Sequence, residues 1–253
     1  MTSPRHVVIT GAAGGIGRAC VEHYHQLGWR VWAIDQAQPT PALPDGVTFI
    51  GVDLAVAGEV DAVVDQLTQQ LGGHLHVLVN NAALQVAKSL AATSADEWDR
   101  VHAINLRAPF LLARDLYPAL AAARGAVVNV SSVHAFATSA DIGAYASSKG
   151  GLLALTRAMA IEFAKDGVRA NAILPGATDT PMLQAGLDRG HVQGADMQQR
   201  KADLAGKILL KRLATPEEIA RSIYFLGDGE ASGYITGQSL VVDGGALARL
   251  STE

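Results

Sequence analysis

The sequence predicts a doubly wound α/β domain: one parallel sheet of about seven strands with helices on both faces. Three observations carry that reading. Short runs rich in Val and Ile recur along the chain and are apolar throughout rather than alternating, as strands buried on both faces are. Helical patterns separate most of these runs, and such alternation implies parallel pairing through right-handed crossovers. No linker or low-complexity segment divides the 253 residues, so residues 1–253 are read as one domain around one large core.

In an open parallel sheet, ligands bind outside the carboxyl ends of the strands, so what each run ends on matters most. The first, HVVIT (6–10), enters TGAAGGIG (10–17), where glycines permit a tight turn and close backbone approach. A helix over 15–27 then offers unpaired N–H groups to a pyrophosphate, although a plain strand-to-helix turn has the same look. The second run, RVWAID (30–35), ends on Asp35, about twenty residues beyond the glycines, where a carboxylate accepts hydrogen bonds from both hydroxyls of an adenosine ribose. It would repel a 2′-phosphate. Gly14 precedes Gly15 and Gln36 follows Asp35, so no cation stands ready for that phosphate, and NAD is favoured over NADP. The third run, VTFIGVD (47–53), closes on Asp53, placed to meet an adenine amino group or to serve as a solvated turn residue.

After a helix over 56–71, HVLVN (76–80) leads into NNAA (80–83), whose small residues leave room for a flat ring. A helix over 96–121 is followed by AVVNVSS (126–132), ending on Ser131 and Ser132, and by a helix over 145–165. The sixth run, VRANAIL (168–174), reaches LPGATDTPM, where Pro175 and Gly176 stop the strand and Thr178 and Thr180 present hydroxyl and backbone groups. Residues 183–210 form a long insertion with Gly186, Gly190, Gly194 and Gly206, read as a lid over a ligand site or, equally, as a surface helical hairpin. A helix over 216–227 and SLVVDGG (239–245) complete the pattern.

Tyr145 and Lys149 lie four apart, hence on one helical face. A free tyrosine titrates near pH ~10, so proton transfer near neutrality needs a shift of roughly 2 to 3 units, or ~3 to 4 kcal/mol. A nearby ammonium acts in that direction, helped by the positive ring of an oxidised nicotinamide.

TGAAGGIG, NNAA, Asn105 in INL, Ser132, YASSK and PGATDT, in this order from about Val7 to Ala246, resemble the short-chain dehydrogenase/reductase family. The ending YITGQSLVVDGG resembles its last strand, and the resemblance implies a Rossmann-like fold. It also implies roles. Tyr145 is the general acid/base and Ser132 holds the substrate oxygen. Lys149 lowers the Tyr145 pKa and binds the nicotinamide ribose, and Asn105 holds a water that relays protons. Asp35 matches the NAD-selecting acid, and Thr180 the residue that meets the carboxamide. Gly11, Gly15, Ile16 and Gly17, with Asp53, Leu54, Asn81 and Ala82, fall on the cofactor side, as do Pro175, Gly176 and Thr178. Ala83 stands where the family usually has Gly.

Gln85 and His134 should face the nicotinamide end and contact substrate. They resemble the pair that holds the carboxylate in the family's 3-hydroxybutyrate dehydrogenases, but Ile142 stands where those enzymes carry a Lys. The run SSVH also resembles the family's glucose dehydrogenases. The expectation is therefore an NAD-dependent oxidoreductase that interconverts a small polar secondary alcohol, a sugar or polyol in first place, and its carbonyl. A 3-hydroxy acid is the alternative, then a 3-oxoacyl or hydrophobic ketone; a non-catalytic NAD-binding protein comes last, because Tyr145 and Lys149 are both present.

A net charge of −4 without a Lys/Arg block leaves no footprint for nucleic acid or an anionic membrane, so the expected partner is a small molecule. The lone Cys20 forms no internal disulfide, and the start carries no leader pattern, which reads as cytoplasmic. No metal is expected: His23 and His25, like His74 and His76, are spaced by two and diverge on a helix, and no Cys/His cluster completes a site. His6 and His102 read as surface or packing residues. The Ala- and Leu-rich helices over 96–121 and 145–165 suit the four-helix subunit contacts of the resembled family, so a homotetramer is expected, with a dimer second.

Overall fold

A computed structural model describes residues 4–188 and 192–248. Seven strands, β1 (His6–Thr10), β2 (Arg30–Asp35), β3 (Thr48–Gly51), β4 (Val77–Asn80), β5 (Ala126–Val130), β6 (Arg169–Pro175) and β7 (Ser239–Val242), make one sheet in the order β3-β2-β1-β4-β5-β6-β7. Every neighbouring pair is parallel, in the registers Val8↔Trp32 and Val8↔Leu78 at the centre. The chain runs outward from β1 to β3 and then returns to lay β4 on the other side of β1. Loops leaving β1 and β4 thus part in opposite directions, and a crevice opens at their carboxyl ends.

Because side chains alternate across a strand, each strand feeds two cores. Val8, Trp32, Leu78 and Val127 pack with Leu67 of α2 (Ala57–Gln70) and Leu112 of α4 (Ala108–Asp115). Val7, Ile9, Val79 and Val128 pack on the opposite face with Cys20 and Tyr24 of α1 (Gly15–Gln26) and Ile223 of α9 (Pro216–Gly227). The Cys20 thiol is fully buried, and burial pushes its pKa well up, as for an inert packing thiol. α9 starts where its sequence says: Thr215 and Glu218 form a capping box around Pro216.

The helix expected over 96–121 is not continuous. It comprises α3 (Ala95–His102), a π turn over Ala103–Arg107, α4 and α5 (Tyr117–Ala123). Two prolines account for the breaks. Pro109 has no N–H for the Asn105 carbonyl, and the ladder widens before it, with the Ala108 N–H reaching back to Ala103 O. Pro118 likewise opens α5 after Leu116 leaves helical geometry. The insertion expected over 183–210 holds two short helices, α7 (Pro181–Leu187) and α8 (Met197–Gly206); its residues 189–191 lie outside the described residues. α6 (Gly143–Phe163) begins two residues before the expected start. Among the described residues no helix is long and apolar enough to cross a membrane.

Candidate active site

A cavity of about 930 Å³ occupies the crevice. At one end lies the glycine turn. Gly11 and Gly15 have φ of +67° and +53°, a region that side chains avoid, and a Cβ on Gly17 would sit 1.9 Å from Gly11 O. Gly17 therefore packs behind the turn rather than lining the cavity, whereas Gly14, Gly15 and Ile16 line it. The N-cap of α1 is Gly14, with no side-chain cap, so the first-turn N–H groups stay available to an anion.

Asp35 borders the same end. Its Oδ2 accepts from Ala13 N (2.9 Å) and its Oδ1 from Ala37 N (3.0 Å), and each oxygen keeps a second lone pair. The next carboxylate, Asp53, receives Ala55 N–H at 2.9 Å and Arg100 Nη2 at 2.8 Å. Burial pushes its pKa up, and these two bonds outweigh that to leave it lowered. Arg100, which sequence reasoning missed, places a cation in the cavity wall at this end, held by Asp53. The signal is faint, a lone Arg in the last turn of α3.

The loop after β4 is tied to the glycine turn. Thr10 Oγ1 accepts from Asn81 N and Ala82 N, both at 3.0 Å, and Asn81 Nδ2 donates to Thr10 O (3.0 Å) and Gly11 O (3.1 Å). Further along, Asn105 Oδ1 accepts from Leu84 N (2.8 Å), while its Nδ2 donates to Leu84 O and Ser148 Oγ, each at 3.0 Å. Asn105 is wholly buried behind the cavity, and its amide braces the loop against α6 instead of facing a ligand.

Ser132, Tyr145 and Lys149 meet in the wall opposite Asp35. Extended backbone carries Ser132 out of β5, and the 3.6-residue period of α6 stacks Tyr145 and Lys149, which are 8% and 1% exposed. The Ser132 hydroxyl accepts His134 N–H at 3.2 Å and lines the same wall as Tyr145. Lys149 Nζ donates to Val130 O (2.7 Å) and stands 5.6 Å from the Tyr145 ring centre. The expected lowering of the phenol is not found. Burial raises the Tyr145 pKa, with the Ser132 hydroxyl working in the opposite sense, and burial also brings Lys149 down to about 7. The cause is desolvation: burial penalises both charged forms, the phenolate and the ammonium.

Beyond Tyr145, His134 stands edge-on with ring centres 6.2 Å apart, and its Nδ1 lies 3.3 Å from Thr138 Oγ1. Gln85 lines the cavity on this side; Ile142 is fully buried and does not. Pro175, Gly176 and Thr178 line the wall that follows β6. Thr180 caps α7 by accepting Leu183 N–H (3.2 Å) and packs its methyl against Gly15, where a Cβ would come within 3.2 Å. Residues of α7 and of the α8 end, Met182, Leu204, Lys207 and Ile208 among them, roof this half.

Residues 11–246 match a family model described as enoyl-(acyl carrier protein) reductase. The cyclopentanol dehydrogenase of Comamonas sp. is 36% identical, covering 96% of both chains. The 2-(R)-hydroxypropyl-CoM dehydrogenase of Xanthobacter autotrophicus is 33% identical, covering 96% of this chain and 99% of its own. The chain belongs to the short-chain dehydrogenase/reductase family. Among solved structures, the Thermoplasma acidophilum aldohexose dehydrogenase superposes with a TM-score of 0.90 at 29% identity, over 98% of this chain and 96% of its own. The model's description names reduction of a C=C bond, whereas these end-to-end relatives are named dehydrogenases of alcohol groups. The chain is accordingly an oxidoreductase of CH–OH groups that acts on a small molecule with a nicotinamide cofactor.

Proposed function

We propose that the protein interconverts a small polar secondary alcohol, a sugar or polyol first, and its carbonyl, with NAD as the cofactor. The observation that carries this reading is the placing of Ser132, Tyr145 and Lys149 in one wall of a cavity whose far end carries Asp35. The glycine turn, the uncapped start of α1 and the spare lone pairs of Asp35 fit a dinucleotide: N–H donors for a pyrophosphate and a carboxylate for a ribose diol. Arg100 is already engaged by Asp53, which leaves Asp35 to set the preference for NAD.

When bound, the nicotinamide accepts or returns the hydride. The chain's own residues handle the proton. Ser132 holds the substrate oxygen and Tyr145 Oη takes the hydroxyl proton, or gives it back in reduction. Burial disfavours either charge alone, but a phenolate beside an ammonium is a compensated pair, so proton loss at Tyr145 is coupled to proton retention at Lys149. Thr178 and Thr180 meet the carboxamide side, and Leu54, Asn81 and Ala82 the rest of the dinucleotide. With its amide committed, Asn105 has its backbone carbonyl to offer a relaying water, since Pro109 leaves that oxygen no α-helical donor. His134 and Gln85 read the substrate, and their pairing supports a 3-hydroxy acid as the second reading.

Exposed Phe110 and Ile161 on α4 and α6, 43% and 78% accessible, support subunit pairing through these helices, and exposed Phe225 and Val241 beside edge strand β7 support a second interface, hence a tetramer. The placing of α7 and the α8 end along the catalytic half supports the lid reading for the insertion. The single buried thiol suits a cytoplasmic protein.

A screen of sugars, polyols and hydroxy acids, followed by NADH formation, tests the reaction. Tyr145→Phe retains NAD binding and loses turnover; a fully active variant removes Tyr145 from the chemistry.

A further inference from the structure

We propose that Arg100 is a positioning residue for base recognition: its guanidinium holds the Asp53 carboxylate where that group accepts the amino group of adenine, so that the enzyme distinguishes an adenine dinucleotide from its hypoxanthine counterpart. The inference rests on the NAD reading and extends it from the ribose to the base. Among the described lining residues, the β2–β3 side of the cavity carries two carboxylates, Asp35 and Asp53, and one cation, Arg100. Asp35 is held by backbone N–H groups, from Ala13 and Ala37. Asp53 is held differently. Its Oδ1 accepts from Ala55 N at 2.9 Å, and its Oδ2 accepts from Arg100 Nη2 at 2.8 Å. Gln36 Nε2 lies 3.5 Å from the same Oδ2, too long to fix it. With the Asp53 N–H already donated to Glu59 Oε2 at 2.8 Å, the main chain is set, and Arg100 is the side chain that fixes how the carboxylate is turned. The pair is partly exposed, 44% for Arg100 and 18% for Asp53, and such pairs add little to stability. Its effect is on aim.

The surroundings suit a flat base. Val52 and Leu54 flank Asp53, are both buried and line the cavity; Ile104, four residues after Arg100, lines it too. Apolar side chains take the faces of a purine, and the carboxylate takes one edge. At C6 adenine presents an N–H donor, whereas hypoxanthine presents a carbonyl oxygen. A carboxylate kept ionised by Ala55 and Arg100 is an acceptor only, so it bonds the first and repels the second. Arg107 ties the same turn through a different atom, its Nη2 donating to Ala55 O at 2.5 Å. The turn and the carboxylate can therefore be released separately.

The test titrates NADH and reduced nicotinamide hypoxanthine dinucleotide into the protein by calorimetry, with cofactor fluorescence alongside. Wild type should bind NADH about 10-fold more tightly, as for one hydrogen bond to a charged group. Arg100→Gln should bring the two dissociation constants close to equality, chiefly by weakening NADH, and Arg100→Lys should recover part of the difference. Asp53→Asn, whose amide can donate to the C6 carbonyl, should turn the preference toward the hypoxanthine analogue, and in that background Arg100→Gln should move the ratio much less. Arg107→Gln should weaken both dinucleotides alike. A wild type without base preference, a ratio unmoved in Arg100→Gln, or an adenine preference kept in Asp53→Asn overturns the inference. So does a loss of preference in Arg107→Gln as complete as in Arg100→Gln, which would assign the effect to the turn. If the protein prefers NADPH, the NAD reading fails on its own; the same comparison of NADPH with its hypoxanthine analogue then still decides the role of Arg100.

Discussion

Replacing Thr10 by Val keeps the shape of the side chain and removes one oxygen. That oxygen accepts two backbone N–H groups, from Asn81 and Ala82, at 3.0 Å each, and Thr10 is 2% exposed. Its own donation to Val79 O is long, 3.4 Å, and contributes little. The cost is therefore set by two donors left without an acceptor. Each orphaned N–H costs about 1 to 3 kcal/mol, and because residues 81 and 82 are half-buried, the lower part of that range applies, about 2 to 4 kcal/mol in all. Against a typical total of about 5 to 15 kcal/mol this is a large loss. With a urea m-value of about 3 kcal/mol/M, the unfolding midpoint drops by roughly 1 M at fixed protein concentration. Thr10→Ser keeps the acceptor and loses a buried methyl, about 1 kcal/mol. Urea melts of the three proteins, with NADH affinity by fluorescence alongside, distinguish the two terms. If Thr10→Val melts within about 0.5 kcal/mol of wild type, or no lower than Thr10→Ser, the hydroxyl is not the tie between the first and fourth strand ends.

Asp35→Ala should shift the ratio of NAD to NADP turnover toward NADP, and direct binding of the two cofactors should move with it; an unchanged ratio counts against the ribose contact. At the opposite end of the sheet, His6 stacks on Trp32 and His76, and its pKa is lowered by burial first and by His76, Arg30 and His74 after it. A folded pKa below the unfolded ~6.5 means that the unfolded chain takes up the proton first, so stability is whole above pH ~6.5 and is lost as pH falls through the lowered folded value. Melting temperatures of wild type and His6→Gln between about pH 5 and 7.5 should converge on acidification; parallel curves would show that His6 does not contribute.

Much of this site is legible in the residues because its parts are local. A glycine turn, a carboxylate at a strand end and a Tyr–Lys pair one helical turn apart each fit within a few positions, and the parallel pairing follows from the alternation of strands and helices. The unread parts depend on tertiary placement. Arg100 reaches the cavity only because α3 turns it toward Asp53, and Lys207 only because the α8 end packs onto Gly244. The direction of the Tyr145 shift is set by burial, which no spacing reveals. The π turn is a different case: Pro109 and Pro118 stand in plain view, but an apolar Ala/Leu pattern reads as continuous unless each proline's missing donor is assigned to a carbonyl.

That widened turn over Ala103–Arg107 amounts to one surplus residue carried inside a helix. Excising a residue there would restore even winding between α3 and α4 and swing Asn105 by about 100° away from Leu84 and Ser148. A shortened chain with a smoother helix and a slackened catalytic loop would pass any screen that rewards folding and fail any screen that rewards turnover. The local irregularity thus marks where this enzyme trades helical regularity for geometry at the reacting centre.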